Sequence, residues 1–349
     1  MAAAALESHK LDSLLVTHLP NVRYLTGFTG SNAALLLTAA TADLFTDPRY
    51  TIQAGQQVSC RVRIARGPLL ERVVDRVSKL RLRRLGFEST QLRYDQHALL
   101  AERLPSAVKF RPCARFVETF RMVKSPAEIE LIRQSVQTNS AALEAAAGTL
   151  RPGITETAFA AEIDYRSRQL DAEAPAFETI VASGARSALP HARPAPVAMA
   201  AGAGVLVDIG AVRAGYCSDM TRMFHLGKVP ARFASAHQAT LDAQLAAVAA
   251  VRAGVTTGDV DRAARKVLKA AGLAANFVHS TGHGLGLEIH EAPRIGAGDR
   301  TVLLAGMVIT IEPGVYFENQ FGIRIEDTVV VTESGCEVLT PTGKELRVL

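Results

Sequence analysis

Cysteine is scarce in this chain and never clustered: Cys60, Cys113, Cys217 and Cys336 lie far apart in 349 residues, with no C-x-x-C pair. That excludes a disulfide framework and a zinc knuckle, so all four read as reduced thiols. Long apolar runs are missing as well. The longest, residues 197–207, contains two glycines and ends at Asp208, well short of the roughly 18 residues that a bilayer span needs. No membrane partner is expected. A secretory signal is not visible either, because Glu7, His9 and Lys10 follow directly on Met and four Ala, and the simplest expectation is a cytoplasmic protein. Charge of one sign is also lacking. With 39 Lys and Arg against 34 Asp and Glu, the net charge of +5 is too small to indicate a nucleic-acid binder. Low-complexity tracts and short-period repeats are absent. Three catalytic signatures fail on inspection. His290-Glu291 is followed by Ala292-Pro293-Arg294 and so completes no H-E-x-x-H, no G-x-S-x-G occurs, and the glycines near residue 284 complete no G-x-G-x-x-G.

What is present is ample material for a core, 48% hydrophobic residues with 21% charged. More chain is available than one domain usually holds, so two domains are expected, at residues 1–120 and 121–349. In the first, apolar runs such as Leu14-Leu15-Val16 and Ala34-Leu35-Leu36-Leu37 alternate with helix-period stretches such as 69–80, the order of an α/β domain. This part holds 17 Lys and Arg against 10 Asp and Glu, so the basic charge is concentrated in it. The run Lys79-Leu80-Arg81-Leu82-Arg83-Arg84 is its densest basic segment and reads as a helix or strand end with a solvated face. In the second, Ser125-Pro126-Ala127-Glu128 is a capping box that opens a helix. Further helices are expected at 155–170, 231–252 and 259–271. Strands are expected in two pairs, 205–210 with 216–224 and 307–312 with 323–331, each joined by a glycine-containing turn. Helices on an antiparallel sheet make this domain α+β.

The chemistry-bearing residues are Asp208, Asp219, His283, Glu312 and Glu326. Asp208 closes the apolar run Val205-Leu206-Val207, and Glu312 closes Val308-Ile309-Thr310-Ile311. Asp219 and Glu326 sit on the partner strand of each expected hairpin, so Asp208 and Asp219 can stand opposite one another. Four carboxylates meeting on apolar hairpins repel one another unless a cation joins them. With one imidazole they form the hard-oxygen-plus-nitrogen shell suited to two divalent ions. The imidazole is His283, between Gly282 and Gly284, which let the backbone approach its neighbours closely. Read alone, His290 and His191 are ordinary loop residues, and His279 has a weaker case still.

Five segments, Val207-Asp208-Ile209-Gly210, Tyr216-Cys217-Ser218-Asp219-Met220-Thr221-Arg222, Gly282-His283-Gly284-Leu285-Gly286, Ile311-Glu312-Pro313-Gly314 and Arg324-Ile325-Glu326-Asp327-Thr328, resemble the metal-site motifs of the Xaa-Pro peptidases. These are aminopeptidase P and prolidase, within the pita-bread metallopeptidases. Ahead of them, residues 24–32 and 45–50 resemble that family's creatinase-type amino-terminal domain. The resemblance covers essentially the whole chain. It implies an α/β creatinase-type domain followed by an α+β pita-bread catalytic domain.

The same resemblance makes Asp208 a ligand of one metal, His283 and Glu312 ligands of the other, and Asp219 and Glu326 bridges between them. Two divalent ions per chain are implied, with Mn²⁺ suited to the carboxylates and Zn²⁺ or Co²⁺ accommodated by the imidazole. Two such cations generate hydroxide from a shared water near neutral pH and polarise the scissile carbonyl. Glu312 is implied as the proton shuttle, His290 and His191 as the groups stabilising the tetrahedral oxyanion, and Arg324 as support for a ligand carboxylate. The substrates are then proline-containing peptides, and a homodimer is implied. The compact chain, with no obvious insertion closing the far side of the cleft, favours aminopeptidase P. Prolidase is the alternative, methionine aminopeptidase a distant third, and a non-enzymatic binding protein on the same scaffold the reading from another class.

Overall fold

The computed structural model describes residues 2–349. In the chain two units separate, the first ending at Arg121 and the second spanning Met122–Leu349. The first unit is built on six strands, β1 (Ser13–Val16), β2 (Ala33–Thr38), β3 (Ala42–Thr46), β4 (Arg61–Ile64), β5 (Arg84–Glu88) and β6 (Lys109–Cys113), in the order β4-β3-β2-β1-β5-β6. Strand β2 runs antiparallel to both its neighbours, and the other adjacent pairs are parallel. Successive side chains leave opposite faces of a strand. Leu14 and Val16 therefore pack with Leu35, Leu37 and Leu44 on one side, and Leu15 packs with Leu36 and Phe45 on the other. Both faces are covered, which is why β1 and β2 read as continuous apolar runs. The helix Leu69–Lys79 closes the second face with Val73 and Val77, one turn apart. The basic run falls where that helix stops: Arg81 takes a positive φ of 55° and Arg84 opens β5.

The second unit opens with the helix Pro126–Ala147. Ser125 Oγ accepts the Glu128 amide and Glu128 Oε2 accepts the Ser125 amide, a reciprocal cap. Helices Glu156–Gln169, Ala231–Ala250 and Thr257–Ala270 follow, the last beginning two residues ahead of the expected start because Thr256 is its cap and Asp259 completes the capping box. Its strands are β7 (Ala174–Pro175), β8 (Ile180–Ser183), β9 (Gly204–Ile209), β10 (Ala211–Arg213), β11 (Tyr216–Cys217), β12 (Met220–His225), β13 (Gly282–Gly284), β14 (Glu291–Ile295), β15 (Val308–Ile311), β16 (Gly314–Phe317), β17 (Phe321–Arg324), β18 (Asp327–Val331), β19 (Cys336–Val338) and β20 (Arg347–Val348). They form sheets β20-β12-β9-β8 and β14-β13-β15-β18-β19, with smaller sheets β11-β10-β7 and β16-β17. Val205, Val207 and Ile209 pack with Leu143, Phe159 and Ile163, while Leu206 faces a second core with Met223 and Phe233. Among the described residues the four cysteines are free, and no helix is long and apolar enough to cross a membrane.

Neither expected hairpin is a simple one. Strand β9 pairs with β12, but Asp208 faces Thr221 rather than Asp219. Residues 211–217 instead form their own hairpin, turning on Ala214 and Gly215, both at positive φ. Asp219 consequently lies off the ladder, in the break before β12. In the second pair, β15 runs beside β18, and the β16–β17 hairpin is inserted between them after Pro313. Both arrangements still bring carboxylates to the same end, because in an antiparallel pair the exit of one strand lies beside the entry of the other.

His237, in the helix Ala231–Ala250, is 4% exposed. Its Nε2 has no hydrogen-bond partner among the described residues, and burial pulls its pKa down to about 4, against a weaker upward pull from Glu345. The unfolded chain protonates this ring near pH 6.5 while the native chain resists, so stability falls as pH drops from about 6.5 to about 4 and this loss then levels off. The full loss is roughly 3 kcal/mol. His237→Leu should therefore lose less stability than the parent between pH 7 and 4.5 in urea unfolding. Equal losses in the two proteins would rule out this origin.

Candidate metal centre

All five carboxylate and imidazole candidates line one cavity of about 470 Å³, together with His191, His290, Arg324, His279, Arg193 and Arg294 and the apolar Phe177, Ile180 and Ile289. Asp219, Glu326 and His283 form the tightest group, each offering a ligand atom within 4.8 Å of the others. His283 Nε2 stands 3.5 Å from Asp219 Oδ2 and 3.5 Å from Glu312 Oε1. Asp208 reaches the cavity from β9.

Each of these side chains is aimed by its local structure. The His283 Nδ1–H donates to the Gly284 carbonyl at 3.0 Å, which leaves the Nε2 lone pair toward the carboxylates. A Cβ on Gly282 would lie 1.9 Å from the Thr310 carbonyl oxygen, and one on Gly284 would lie 2.3 Å from that of Ala292. Only glycine on both sides lets β13 fit between β14 and β15 and present this ring. Thr310 Oγ1 accepts the His283 amide at 3.1 Å and donates to Glu312 Oε1 at 3.3 Å, so one hydroxyl positions two candidate ligands. Thr221 Oγ1 donates to Glu326 Oε2 at 2.7 Å and accepts from Arg324 Nε at 3.1 Å.

Arg324 ends β17 and its buried guanidinium donates through Nη2 to Asp208 Oδ2 at 2.5 Å. Its Nη1 donates to the Tyr316 hydroxyl oxygen at 2.7 Å. The Tyr316 hydroxyl in turn meets His279 Nε2 at 2.9 Å, and His279 Nδ1 meets the Ser280 carbonyl at 2.7 Å. Burial holds His279 neutral, with a pKa near 4, and pushes Tyr316 up to about 12. Every proton in this chain is thus assigned: Ser280 accepts from His279, His279 from Tyr316, Tyr316 from Arg324, and the positive charge ends on Asp208. Behind Glu326, Arg222 donates to the Glu326 carbonyl and to Asp327 Oδ1, which fixes the backbone of the turn between β17 and β18.

The residues present fit a divalent cation. Asp208 Oδ1, Asp219 Oδ1 and Glu326 Oε1 are buried, and none has a hydrogen-bond partner among the described residues. Burial chiefly, and then the neighbouring carboxylates, push Asp219 and Glu326 well above the ordinary carboxylate range; burial also raises Glu312. Buried anionic oxygens left without donors are costly in a protein interior, and a cation shared among them removes that cost. Oxygen donors with a single imidazole suit a hard or borderline divalent ion.

His290 and His191 lie at the exposed rim of the cavity. The His290 ring packs edge-on against His283, with centroids 4.5 Å apart, and burial pulls its pKa down. Four residues of this site are given no role by the sequence alone, Thr221, Thr310, Tyr316 and Arg294, and His279 has only a weak case there. The threonines had a usable signal, a hydroxyl inside an apolar strand two residues from a carboxylate. Tyr316 had none, since only the fold brings it to Arg324.

Comparison with known proteins agrees in extent with this architecture. Residues 130–333 match Metallopeptidase family M24, and residues 2–123 match the Creatinase/Prolidase N-terminal domain. An Xaa-Pro dipeptidase of Pyrococcus furiosus is 40% identical over 262 residues, covering 75% of this chain and 75% of its own. The structure of an Xaa-Pro dipeptidase from Bacillus anthracis superposes with a TM-score of 0.97 at 36% identity, over 100% of this chain and 98% of that one. That of an X-Pro aminopeptidase from Thermotoga maritima superposes with a TM-score of 0.92 at 35% identity, over 97% and 98%.

Proposed function

Because the chain belongs to metallopeptidase family M24 and carries a creatinase/prolidase amino-terminal domain, we propose that it is an Xaa-Pro peptidase acting on dipeptides. The observation that carries the dipeptide reading is Arg294. It lines the cavity, stands on β14 directly across from His283, and makes no ion pair or hydrogen bond among the described residues. A dipeptidase must meet the carboxylate that follows proline with a cation, and an aminopeptidase acting on longer peptides has no use for one there. The compactness of the chain, which favours the aminopeptidase reading, speaks only to what is missing from the far side of the cleft. A guanidinium lining the cavity with no ion pair or hydrogen bond among the described residues is available to a substrate carboxylate, and Xaa-Pro dipeptidases are prominent among the similar proteins.

In this proposal Asp208, Asp219, His283, Glu312 and Glu326 hold two divalent cations, with Mn²⁺ matched to the carboxylate majority. Cations held there supply Lewis acidity, lowering the pKa of water and polarising the scissile carbonyl. Glu312 takes the proton from the attacking water on its Oε2 and passes it to the departing proline nitrogen, while Thr310 holds Oε1 in place. His290 and His191 donate to the oxygen on which negative charge develops. Arg324 orients Asp208 through the hydrogen bond to its Oδ2, and Phe177, Ile180 and Ile289 give the cavity apolar walls.

The test compares catalytic efficiency on Xaa-Pro, its proline amide, and the same dipeptide extended by one residue, with Mn²⁺ and after chelation. The dipeptide is expected to be cut at least about tenfold more efficiently than either neutralised form, through KM, and Arg294→Met should abolish that preference. A tripeptide cut as well as the dipeptide would make the protein an aminopeptidase P. Undiminished turnover after chelation would remove the metallopeptidase chemistry altogether.

A further inference from the structure

The first unit holds a basic cavity that the proposed reaction does not use. Asp43, on β3, has a side chain only 1% exposed. Its two oxygens accept from Arg63 Nε on β4 at 2.7 Å and from Arg76 Nε on the helix Leu69–Lys79 at 2.9 Å. Each guanidinium is thus anchored through one nitrogen, and among the described residues the Nη atoms of neither make a hydrogen bond. Both arginines line a cavity of about 230 Å³, with Lys79 and Arg72 beside them and Phe45, Ile64 and Ala65 as apolar wall.

The charges there do not cancel. Asp75 pairs with Arg72 at 3.1 Å, and Asp43 neutralises one of the two guanidiniums that it holds. The second guanidinium and the Lys79 ammonium remain uncompensated. A buried carboxylate needs one cation for its own stability; two arginines brought together on it, with a lysine alongside, repel one another unless an anion enters. Anchoring through Nε also removes most of the freedom that a free arginine loses on binding, so the forks are set in advance for an acceptor.

We propose that this cavity binds a phosphate group. A tetrahedral dianion matches the two uncompensated positive charges and offers oxygens to two forks and an ammonium at once, which a single carboxylate cannot do. The apolar wall leaves room for an organic substituent, so the source is either free phosphate or a phosphate monoester.

Isothermal titration of the full, metal-loaded chain with inorganic phosphate, at chloride-matched ionic strength, should give saturable binding with one site outside the metal centre. Phenyl phosphate in a second titration separates the sources: tighter binding than phosphate identifies a monoester site, and equal binding a free-phosphate site. Arg76→Gln leaves Asp43 its partner Arg63 and should weaken binding about tenfold. Lys79→Ala, at the exposed end of the helix, should weaken it about threefold and disturbs no buried group. Glu326→Gln, in the other unit, should leave this binding intact. The proposal is overturned if phosphate gives no heat beyond the chloride control, if both cavity variants bind as the parent does, or if all binding disappears with Glu326→Gln.

Discussion

Glu326→Gln and Asp219→Asn are each expected to lower hydrolysis at least about 10³-fold and to leave less than the full complement of metal on the purified chain, with the fold retained. The reason lies in what these two carboxylates do besides facing the cavity. Glu326 uses Oε2 to accept from Thr221 and leaves Oε1 buried with no donor among the described residues; Asp219 likewise leaves a buried Oδ1 with no donor among them. An amide at either place removes a full negative charge from between the proposed cations and offers N–H groups where only acceptors are wanted. The metal-free proteins should show the opposite order of stability. Both carboxyls have folded pKa values above their unfolded ones, so the native state binds the extra protons and stability falls as pH rises above about 4. After chelation, Glu326→Gln should therefore lose less stability than the parent between pH 5 and pH 8. Elemental analysis, peptide hydrolysis and chelated unfolding curves measure the three quantities. A variant with parental metal content and turnover would contradict the proposed ligand set.

The fold was legible where one residue type carried one physical demand. Continuous burial through Leu14–Val16 and Leu35–Leu37 follows from a sheet covered on both faces, and the Ser125–Glu128 cap marks its helix start to the residue. The hairpins were legible only in part. Asp208 and Glu312 at strand ends were readable because a carboxylate closing an apolar run is conspicuous. The partner register was not, because strand spacing does not tell whether the intervening glycines turn the main ladder or a smaller hairpin of their own. Ala214-Gly215 and the residues after Pro313 do the latter, which moves Asp219 and Glu326 into the breaks just before β12 and β18. Those breaks free the two side chains from ladder geometry and let them converge. The site was legible as a set of charges and illegible as a network: nothing at Tyr316 or His279 signals that their hydroxyl and ring stand behind Arg324, since that contact joins elements distant in sequence through packing alone.

Substitution of His290 separates the two roles open to a histidine in such a cavity. Its ring lies edge-on to His283, close enough to compete for a ligand position, but it is His283 whose Nε2 faces Asp219 and Glu312. His290 also sits on a segment tied down independently. Its neighbour Glu291 pairs with Lys124 at 3.1 Å with both side chains buried, and Glu291 Oε1 accepts the Glu288 amide. Removing the imidazole therefore leaves the backbone path in place, so the effect should be chemical rather than structural. As a donor to the developing oxyanion, His290 contributes in the transition state and little to ground-state binding, which places the loss in kcat. His290→Ala is expected to keep its metal, to leave KM for the dipeptide within a few-fold, and to reduce kcat by roughly 10²–10³-fold. Adding Lys124→Met to His290→Ala tests the same assignment from behind: if the ion pair acts on turnover by positioning His290, the second change should cost little further activity once the ring is gone. Loss of metal from His290→Ala would instead make His290 a ligand and return His283 to a supporting role.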